Sequence, residues 1–357
     1  MFEYSIDDTI FVQIASFRDR ELQLTLKDLF EKASKPENVF VGVCHQYDMQ
    51  GDEDEALFEI PFPYPEQLRI DNVDYRDSQG ACWARARVQK LYKNEKWTLM
   101  IDSHMRFGER WDEIMVTNLK KEIFNRKKEK IILSTYPSGY LYDSDNEIKY
   151  TSFCDGIKTT HLDNGVDGYA LLCSLYLYFD NGYLRQIPVV SYDIRGRIHY
   201  GFSANFAFAS SLFINEIQYD ENLFFAGEEP TIAIRCFTKG WDILPCMDSL
   251  IYHLYNVENH QKDRISRKIN VNVDNDNISK MRQRHLLNIE KTRNVKALKD
   301  MDKYGLGQER TIREFEHCSG VCFNKEKTRL FATVGLIKKY EKILDTKVVK
   351  ELFDDGN

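Results

Sequence analysis

Asp102 and His104 flank a small serine directly after an apolar run at residues 97–101. The run is rich in branched and aromatic residues, which predicts a buried strand. Because side chains alternate along an extended chain, we expect the carboxylate and the imidazole on the same side. Together they can bind one divalent cation of the Mn²⁺ or Mg²⁺ type. The triplet also fits a simple turn, so its context must decide.

Two other segments carry candidate site residues. Glu228 and Glu229 follow Gly227 at the head of a helical pattern, where they could present a carboxylate into a cleft or only stabilise the helix dipole. His253 lies within an apolar strand pattern, where a core position is the commoner explanation. Neutral imidazole is also a common ligand of divalent metals, and Asp102 with His104 would need a third partner.

Residues 76–87 combine arginines with glycine and small side chains. Gly80 and its small neighbours would let the backbone approach a ligand, and Arg76 and Arg85 suit diphosphate oxygens. A solvated helix face is the alternative, which we favour for Arg87.

The elements that must position these residues alternate between strands and helices. Apolar runs predict strands at residues 10–15, 39–44, 68–73, 97–101 and 131–136, and helical spacing predicts helices at 22–32, 85–92 and 111–125. This alternation predicts an α/β domain with a mostly parallel sheet. In such sheets ligands bind at the carboxyl ends of strands, where Ser16, Arg18 and Asp102 fall.

The second half of the chain follows a different pattern. Residues 141–190 predict strands and loops, and residues 278–304 and 310–353 predict charged helices. We expect a boundary near residue 260, with a catalytic domain at 1–260 and a helical region at 261–357. The helical region could bind an acceptor or form a homo-oligomer.

The net charge, the apolar runs and the cysteines of the chain argue against several classes of protein. The formal net charge is −7, which gives no electrostatic case for nucleic acid as a main partner. The N-terminus resembles no secretory signal, and no apolar run approaches the roughly 20 residues of a membrane-spanning helix. The eight cysteines are scattered without a Cys-x-x-Cys pair, so we expect a reduced, cytoplasmic protein.

Several motifs in order resemble the glycosyltransferase family that includes the cytoplasmic hydroxyproline N-acetylglucosaminyltransferases of ubiquitin-ligase subunits, with many bacterial relatives. The resemblance covers most of the chain and rests on residues 14–19, 41–44, 80–85, 101–107, 111–112, 225–229, 238–242 and 304–307. It implies a GT-A fold, which is Rossmann-like, with a divalent cation, a UDP-sugar donor and retention of anomeric configuration.

The resemblance also implies roles for individual residues. Asp102 and His104 would bind Mn²⁺ or Mg²⁺, and His253 would be the third ligand, by similarity to the related mucin-type N-acetylgalactosaminyltransferases. Nucleotide and diphosphate would lie against six residues, which are Ser16, Arg18, Arg76, Gly80, Arg85 and Asp102. Glu228 or Glu229 would face the donor sugar or the acceptor hydroxyl.

The leading hypothesis is therefore a retaining, metal-dependent transferase that uses UDP-GlcNAc and a protein or glycan acceptor. A metal-dependent hydrolase of a phosphorylated or nucleotide substrate is an alternative that uses the same aspartate and histidines. A non-catalytic module that binds glycans or partners is the third. The sequence leaves open the acceptor, and whether retention uses front-face attack or a covalent intermediate.

Overall fold

A seven-stranded sheet with helices on both faces forms the centre of the chain. The computed structural model describes residues 2–51, 64–151, 173–190, 198–246, 248, 250–255 and 273–328. Along the chain, the helices and strands of these residues are β1 (Ile10–Phe17), α1 (Glu21–Glu31), β2 (Val39–Tyr47), β3 (Leu68–Asp74), α2 (Ala81–Gln89), β4 (Trp97–Asp102), β5 (Met105–Phe107), α3 (Trp111–Arg126), β6 (Ile131–Ser134), β7 (Ser138–Tyr142), β8 (Ile148–Thr151), β9 (Cys173–Asp180), β10 (Tyr183–Val190), β11 (Phe206–Ser210), α4 (Leu212–Glu216), α5 (Glu228–Thr238), β12 (Asp242–Leu244), β13 (Ile251–His253), α6 (Val273–Leu286), α7 (Val295–Leu298), α8 (Ile312–Ser319), β14 (Val321–Cys322) and β15 (Lys327–Thr328).

The central sheet is mostly parallel, with the strand order β12-β6-β11-β4-β1-β2-β3. Within it, β1 pairs in parallel with β2 and β4, whereas β11 runs antiparallel to β4 and β6. This topology confirms the α/β class with a mostly parallel sheet that the sequence predicts. Because parallel strands end at one edge, the carboxyl ends of β1 to β4 lie side by side, and Ala15 pairs with Asp102.

Both faces of the sheet are buried. Ile10, Val12 and Ile14 of β1 pack with α1 and α3, whereas Phe11 packs on the opposite face with α2. Each such side chain contributes about 1.5–3 kcal/mol when it leaves water. Burial on both faces explains why β1 is mostly apolar, as is usual for a central parallel strand, and the one amide within it, on Gln13, donates to Thr98 Oγ1.

A second sheet of four strands, with the order β5-β13-β7-β8, includes the strand that follows β4. In it, β13 runs antiparallel to β5 and parallel to β7. The register places His253 opposite Met105, one residue after His104. A strand remote in sequence thereby reaches the end of β4.

The helix α6 contacts the elements that surround the site. The Gln283 Nε2 atom donates to the carbonyl oxygens of Leu184 (3.0 Å) and Gly227 (3.2 Å), at the start of α5. The Arg282 Nε atom donates to Asp220 Oδ2 at 2.6 Å. The predicted boundary near residue 260 lies outside the described residues, so the division into 1–260 and 261–357 stays a prediction.

Three helix predictions differ from the structure. The charged helix predicted at 278–304 is instead α6, which ends at Leu286, and the short α7, because the chain turns at Asn288, where φ is +57°. The helix predicted at 85–92 is α2, which begins four residues earlier because Gly80, at φ +103°, turns the chain directly into it. Part of the predicted C-terminal helix is instead the pair β14–β15, because Gly320, at φ +75°, ends α8 in the left-handed region. Residues 329–357 lie outside the described ranges.

The described cysteines and helices bear on two predictions, which are reduced thiols and the lack of a membrane-spanning helix. Cys44, Cys82, Cys236 and Cys246 are buried free thiols, and Cys318 and Cys322 are half-buried free thiols. In the same part of the chain, every helix is too short or too polar to cross a membrane.

Candidate active site

Asp102, His104 and His253 meet at the end of β4. One ligand atom from each lies within 4.8 Å of the other two. The His253 Nε2 atom is 3.1 Å from Asp102 Oδ2 and 3.1 Å from His104 Nε2. All three residues come from the predicted set, and β13 brings the third one into place. We call them the metal cluster.

The donor set of the metal cluster fits a divalent cation. Two imidazole nitrogens that face each other at hydrogen-bond distance need a hydrogen or a cation between their lone pairs. One carboxylate oxygen joins them from Asp102. Carboxylates suit Mg²⁺ and Mn²⁺, and imidazoles suit transition metals, so the mixed set favours Mn²⁺ over Mg²⁺.

The carboxyl group of Asp102 is ionised at neutral pH. Burial opposes its charge, but the hydrogen bond with His253 and the charge of Arg85 outweigh burial and hold its pKa well below the usual range. The guanidinium of Arg85 contributes through a 2.5 Å hydrogen bond from Nη2 to Asp102 Oδ1. The carboxylate therefore carries the charge that a cation site requires.

Arg85 joins the metal cluster to the start of α5. Its side chain is 8% exposed, and its Nε atom lies 3.5 Å from Glu228 Oε1. Burial raises the pKa of Glu228, and the charge of Arg85 opposes that rise. Arg85 was predicted to bind diphosphate oxygens. The structure adds that it links Asp102 to Glu228, and its diphosphate role stays a prediction.

Glu229 has different surroundings from its neighbour. Its Oε2 atom accepts from Tyr136 Oη (2.7 Å) and Gln186 Nε2 (2.9 Å), and its Oε1 atom accepts from the backbone N–H of Ala204 (2.8 Å). Burial raises the pKa of Glu229 to about 7, although these hydrogen bonds oppose the rise. The nearby charge of Glu228 raises it further. Glu229 thus holds three separate segments together beside the site.

Ser16 and Arg18 lie at the carboxyl end of β1, beside Asp102 in the sheet. Ser16 is fully buried. The backbone at Arg18 is left-handed, with φ +47°, and its N–H donates to Gln46 O at 2.7 Å. The Arg18 guanidinium lies 4.5 Å from the centroid of the Tyr75 ring.

Arg76 and Gly80 follow β3 on the same edge. The Arg76 side chain is 45% exposed and forms ion pairs with Asp48 (3.0 Å) and Asp74 (2.9 Å). Its guanidinium also lies 4.5 Å from the Tyr75 ring, so that ring contacts both arginines. A Cβ atom at Gly80 would collide with the backbone oxygen of Phe224, so this glycine is required by a close approach of two loops.

The predicted residues therefore fall into two groups on one sheet edge. Direct contacts join Asp102, His104, His253, Arg85 and Glu228. Ser16, Arg18 and Arg76 lie at the ends of β1 and β3, and Gly80 lies against the Phe224 loop. Their roles toward a nucleotide stay predictions.

Sequence reasoning missed several residues with contacts here. Asp19 Oδ2 lies 2.7 Å from His104 Nδ1 and accepts from Ser103 Oγ at 2.6 Å. Tyr136 and Gln186 bind Glu229 from other parts of the chain. Asp19 could have been suspected, since it follows a central strand whose end lies beside Asp102.

Several solved structures are similar to this chain at low sequence identity. GalNAc-T7 with UDP, GalNAc and Mn²⁺ is 12% identical with a TM-score of 0.48, over 87% of this chain and 56% of that chain. TarS 1-349 of S. aureus with UDP is 11% identical with a TM-score of 0.45, over 92% of this chain and 75% of that chain. A mannosyltransferase of Pyrobaculum calidifontis with GDP-Man and Mn²⁺ is 9% identical with a TM-score of 0.43, over 97% and 79%. This chain thus spans little more than half the length of GalNAc-T7.

Sequence comparison identifies the family directly. No curated protein matches the chain significantly. A family profile described as Glycosyltransferase (GlcNAc) matches residues 9–61 and 59–325, which together are most of the chain. Both matched ranges include predicted site residues, from Ser16 in the first to His253 in the second. The chain belongs to the glycosyltransferase (GlcNAc) family.

Proposed function

We propose that this chain is a retaining, divalent-metal-dependent glycosyltransferase of the GT-A class. It would transfer a sugar, with GlcNAc from UDP-GlcNAc as the first candidate, to a hydroxyl group of a protein or glycan. The observation that carries the proposal is the convergence of Asp102, His104 and His253, in a chain of this family, at the carboxyl edge of a mostly parallel sheet.

The reaction places negative charge on a leaving group. Breaking the sugar–phosphate bond gives a nucleoside diphosphate, and a divalent cation, when bound by the metal cluster, would stabilise that charge as a Lewis acid. Asp102 would supply the anionic ligand, and His104 and His253 the neutral ones. Arg18 and Arg76 offer further positive charge near the end of β1.

Arg85 would hold the metal cluster in a fixed position relative to the start of α5. Its guanidinium holds Asp102 on one side and lies near Glu228 on the other, so both carboxylates keep fixed positions. Of the two predicted acids, Glu228 is therefore the better candidate to position the donor sugar or the acceptor hydroxyl. Glu229 is fixed by three hydrogen bonds and would instead shape the wall of the site.

Retention requires the acceptor to attack from the face that the leaving group vacates. We favour front-face attack within an ion pair, with Glu228 positioning the substrates instead of forming a covalent bond. The free buried thiols support a reducing compartment, and we propose that the chain acts in the cytoplasm.

Binding of UDP to the purified chain, measured by calorimetry with Mn²⁺ and then with chelator, tests the proposal. We expect binding with Mn²⁺ that falls at least about tenfold on chelation, and tighter binding of UDP-GlcNAc than of GDP-mannose. Asp102→Asn should lose the metal dependence. Asp71→Asn is the matched control, because Asp71 lies on β3 in an ion pair with Arg87 outside the metal cluster.

Product analysis separates this proposal from its rivals. A hydrolase would release sugar or phosphate at full rate without an acceptor, and a binding module would not consume the donor at all. Metal-independent UDP binding by the wild-type chain would overturn the metal dependence that we propose.

A further inference from the structure

Asp19 touches the metal cluster without belonging to it. Its side chain is 1% exposed, and its Oδ2 atom lies 2.7 Å from His104 Nδ1 and accepts from Ser103 Oγ at 2.6 Å. We propose that Asp19 is a positioning residue, which fixes His104 in the tautomer that binds metal, and that Ser103 holds Asp19 in place. The inference rests on the proposed function, because it concerns a ligand of the same site.

The hydrogen bond determines which nitrogen of His104 faces the cluster. An ionised carboxylate only accepts hydrogen bonds, so Nδ1 of His104 must carry the hydrogen. In the neutral ring this leaves the lone pair on Nε2, the atom that lies 3.1 Å from His253 Nε2. A carboxylate on the far nitrogen of a histidine ligand also makes that ligand more basic.

The position of Asp19 is itself fixed on both oxygens. Its Oδ1 atom accepts from the backbone N–H of Glu21 at 3.1 Å, while its Oδ2 atom serves Ser103 and His104. Its backbone oxygen accepts from the N–H of Leu22 at 3.2 Å. Asp19 therefore has little freedom to turn away from the imidazole.

A second contact ties the same loop to α1. The Thr25 hydroxyl donates to Ser103 O at 2.8 Å and lies 3.1 Å from Met105 O, while the N–H of Met105 donates to Thr25 Oγ1 at 2.9 Å. The start of α1 thus holds the loop after β4 through its backbone, and Asp19 adds control of the side chain. Ser103 takes part in both contacts, because its carbonyl oxygen accepts from Thr25 and its hydroxyl donates to Asp19.

Affinity for Mn²⁺ alone, measured by electron paramagnetic resonance without nucleotide, tests the inference. Asp19→Ala should weaken binding by about 10–100-fold, the usual effect of losing an outer partner of a metal ligand. Asp19→Asn keeps an acceptor but loses the charge, so it should recover part of the affinity. Ser103→Ala should weaken binding less than Asp19→Ala, because it leaves the bond between Asp19 and His104 intact.

The tautomer provides a readout that a merely structural residue would not move. In metal-free wild-type protein labelled with ¹⁵N-histidine, nitrogen chemical shifts should show His104 with hydrogen on Nδ1, and Asp19→Ala should remove that preference. A His104→Asn variant assigns the signal. Thermal unfolding in chelator shows whether each variant is folded, and if Asp19→Ala is not, the wild-type tautomer decides.

Two results would overturn the inference. One is hydrogen on Nε2 of His104 in the wild type, and the other is a folded Asp19→Ala variant that binds Mn²⁺ as tightly as the wild type. A wild-type chain that binds no Mn²⁺ would instead overturn the proposed function. In that case the tautomer measurement alone would decide whether Asp19 positions His104.

Discussion

Two buried polar clusters flank β5, and they differ in how their charges are balanced. The first is the metal cluster. The second, which we call the closed cluster, consists of Glu21, Arg106, Tyr140 and Tyr142. Arg106 Nη2 donates to Glu21 Oε2 at 2.6 Å, and both tyrosine hydroxyls donate to the same carboxylate at 3.0–3.2 Å. A cation within the closed cluster therefore neutralises its anion.

The metal cluster is arranged differently. Two imidazole nitrogens face each other, and the guanidinium that neutralises Asp102 is shared with Glu228. One ligand atom from each of the three residues also lies within 4.8 Å of the other two. In the closed cluster the donors face acceptors and support the fold, whereas the converging ligand atoms of the metal cluster provide a site for a cation from outside.

Alanine substitution of one residue in each cluster should affect different quantities, Mn²⁺ affinity in the metal cluster and the free energy of unfolding in the closed cluster. These are the largest effects that we expect. His253→Ala should weaken Mn²⁺ binding by at least about a hundredfold, because it removes a direct ligand. Glu21→Ala should lower the free energy of unfolding by about 3–5 kcal/mol, because it leaves Arg106 buried without its carboxylate. Urea unfolding in chelator and Mn²⁺ titration, applied to both variants, measure the two quantities.

Each variant is the control for the other. The free energy of unfolding of His253→Ala in chelator should stay within about 1 kcal/mol of the wild type, because the loss of two ring contacts, with His104 and Tyr255, is offset by the removal of a polar group from the point where the ligand atoms converge. Folded Glu21→Ala should still bind Mn²⁺. If His253→Ala unfolds the chain while Mn²⁺ binding depends on Glu21, the assignment of the two clusters is wrong.

The period of a strand was enough to predict two of the three residues of the metal cluster. Asp102 ends β4 and His104 follows two residues later, and alternation predicts that their side chains lie on the same side. The local pattern around His253 favours a core position, and the ligand alternative gained its specific support from the family resemblance. Its place in the cluster depends on the pairing of β13 with β5, a contact between remote segments that periodicity does not specify.

The roles of the two glutamates could not be separated from sequence for the same reason. Glu228 and Glu229 are adjacent in the first turn of α5, so helix geometry treats them alike. Their difference comes from Arg85 on one side and from Tyr136 and Gln186 on the other, which are far away along the chain. Asp19 was missed because it binds His104 across 85 residues.

Glu229 extends the comparison, because it is a half-buried carboxyl group whose three donors are neutral. Its pKa rises from an ordinary 4.5 to about 7, chiefly because of burial. The folded chain thus keeps this proton where the unfolded chain releases it, so the contribution of Glu229 to the free energy of unfolding is highest below pH 4.5 and falls as the pH rises to about 7. Between pH 5 and pH 8 the wild type should lose about 2 kcal/mol relative to Glu229→Gln.

Urea unfolding of both proteins at a series of pH values measures this difference. The Gln variant is neutral at every pH, and it shares all other titrating groups with the wild type, so the difference isolates Glu229. Parallel stability curves across pH 5–8 would mean that Glu229 is ionised in the folded chain, as a residue of a charge-balanced cluster would be.

The smallest effect is expected at the exposed rim of the site. Arg76 pairs with Asp48 and Asp74 in solvent, outside both buried clusters, and it shares the Tyr75 ring with Arg18. Arg76→Ala should weaken UDP binding in Mn²⁺ by roughly fivefold, because solvent and salt screen an exposed charge. Calorimetry at low and high salt measures the UDP affinity, and the difference between the wild type and the variant should shrink at high salt.

Arg110→Ala, which removes an exposed partner of Glu113 on α3, is the matched control. Equal UDP affinity in the wild type and Arg76→Ala would remove Arg76 from the nucleotide site, and a hundredfold loss would place it in direct contact with the diphosphate.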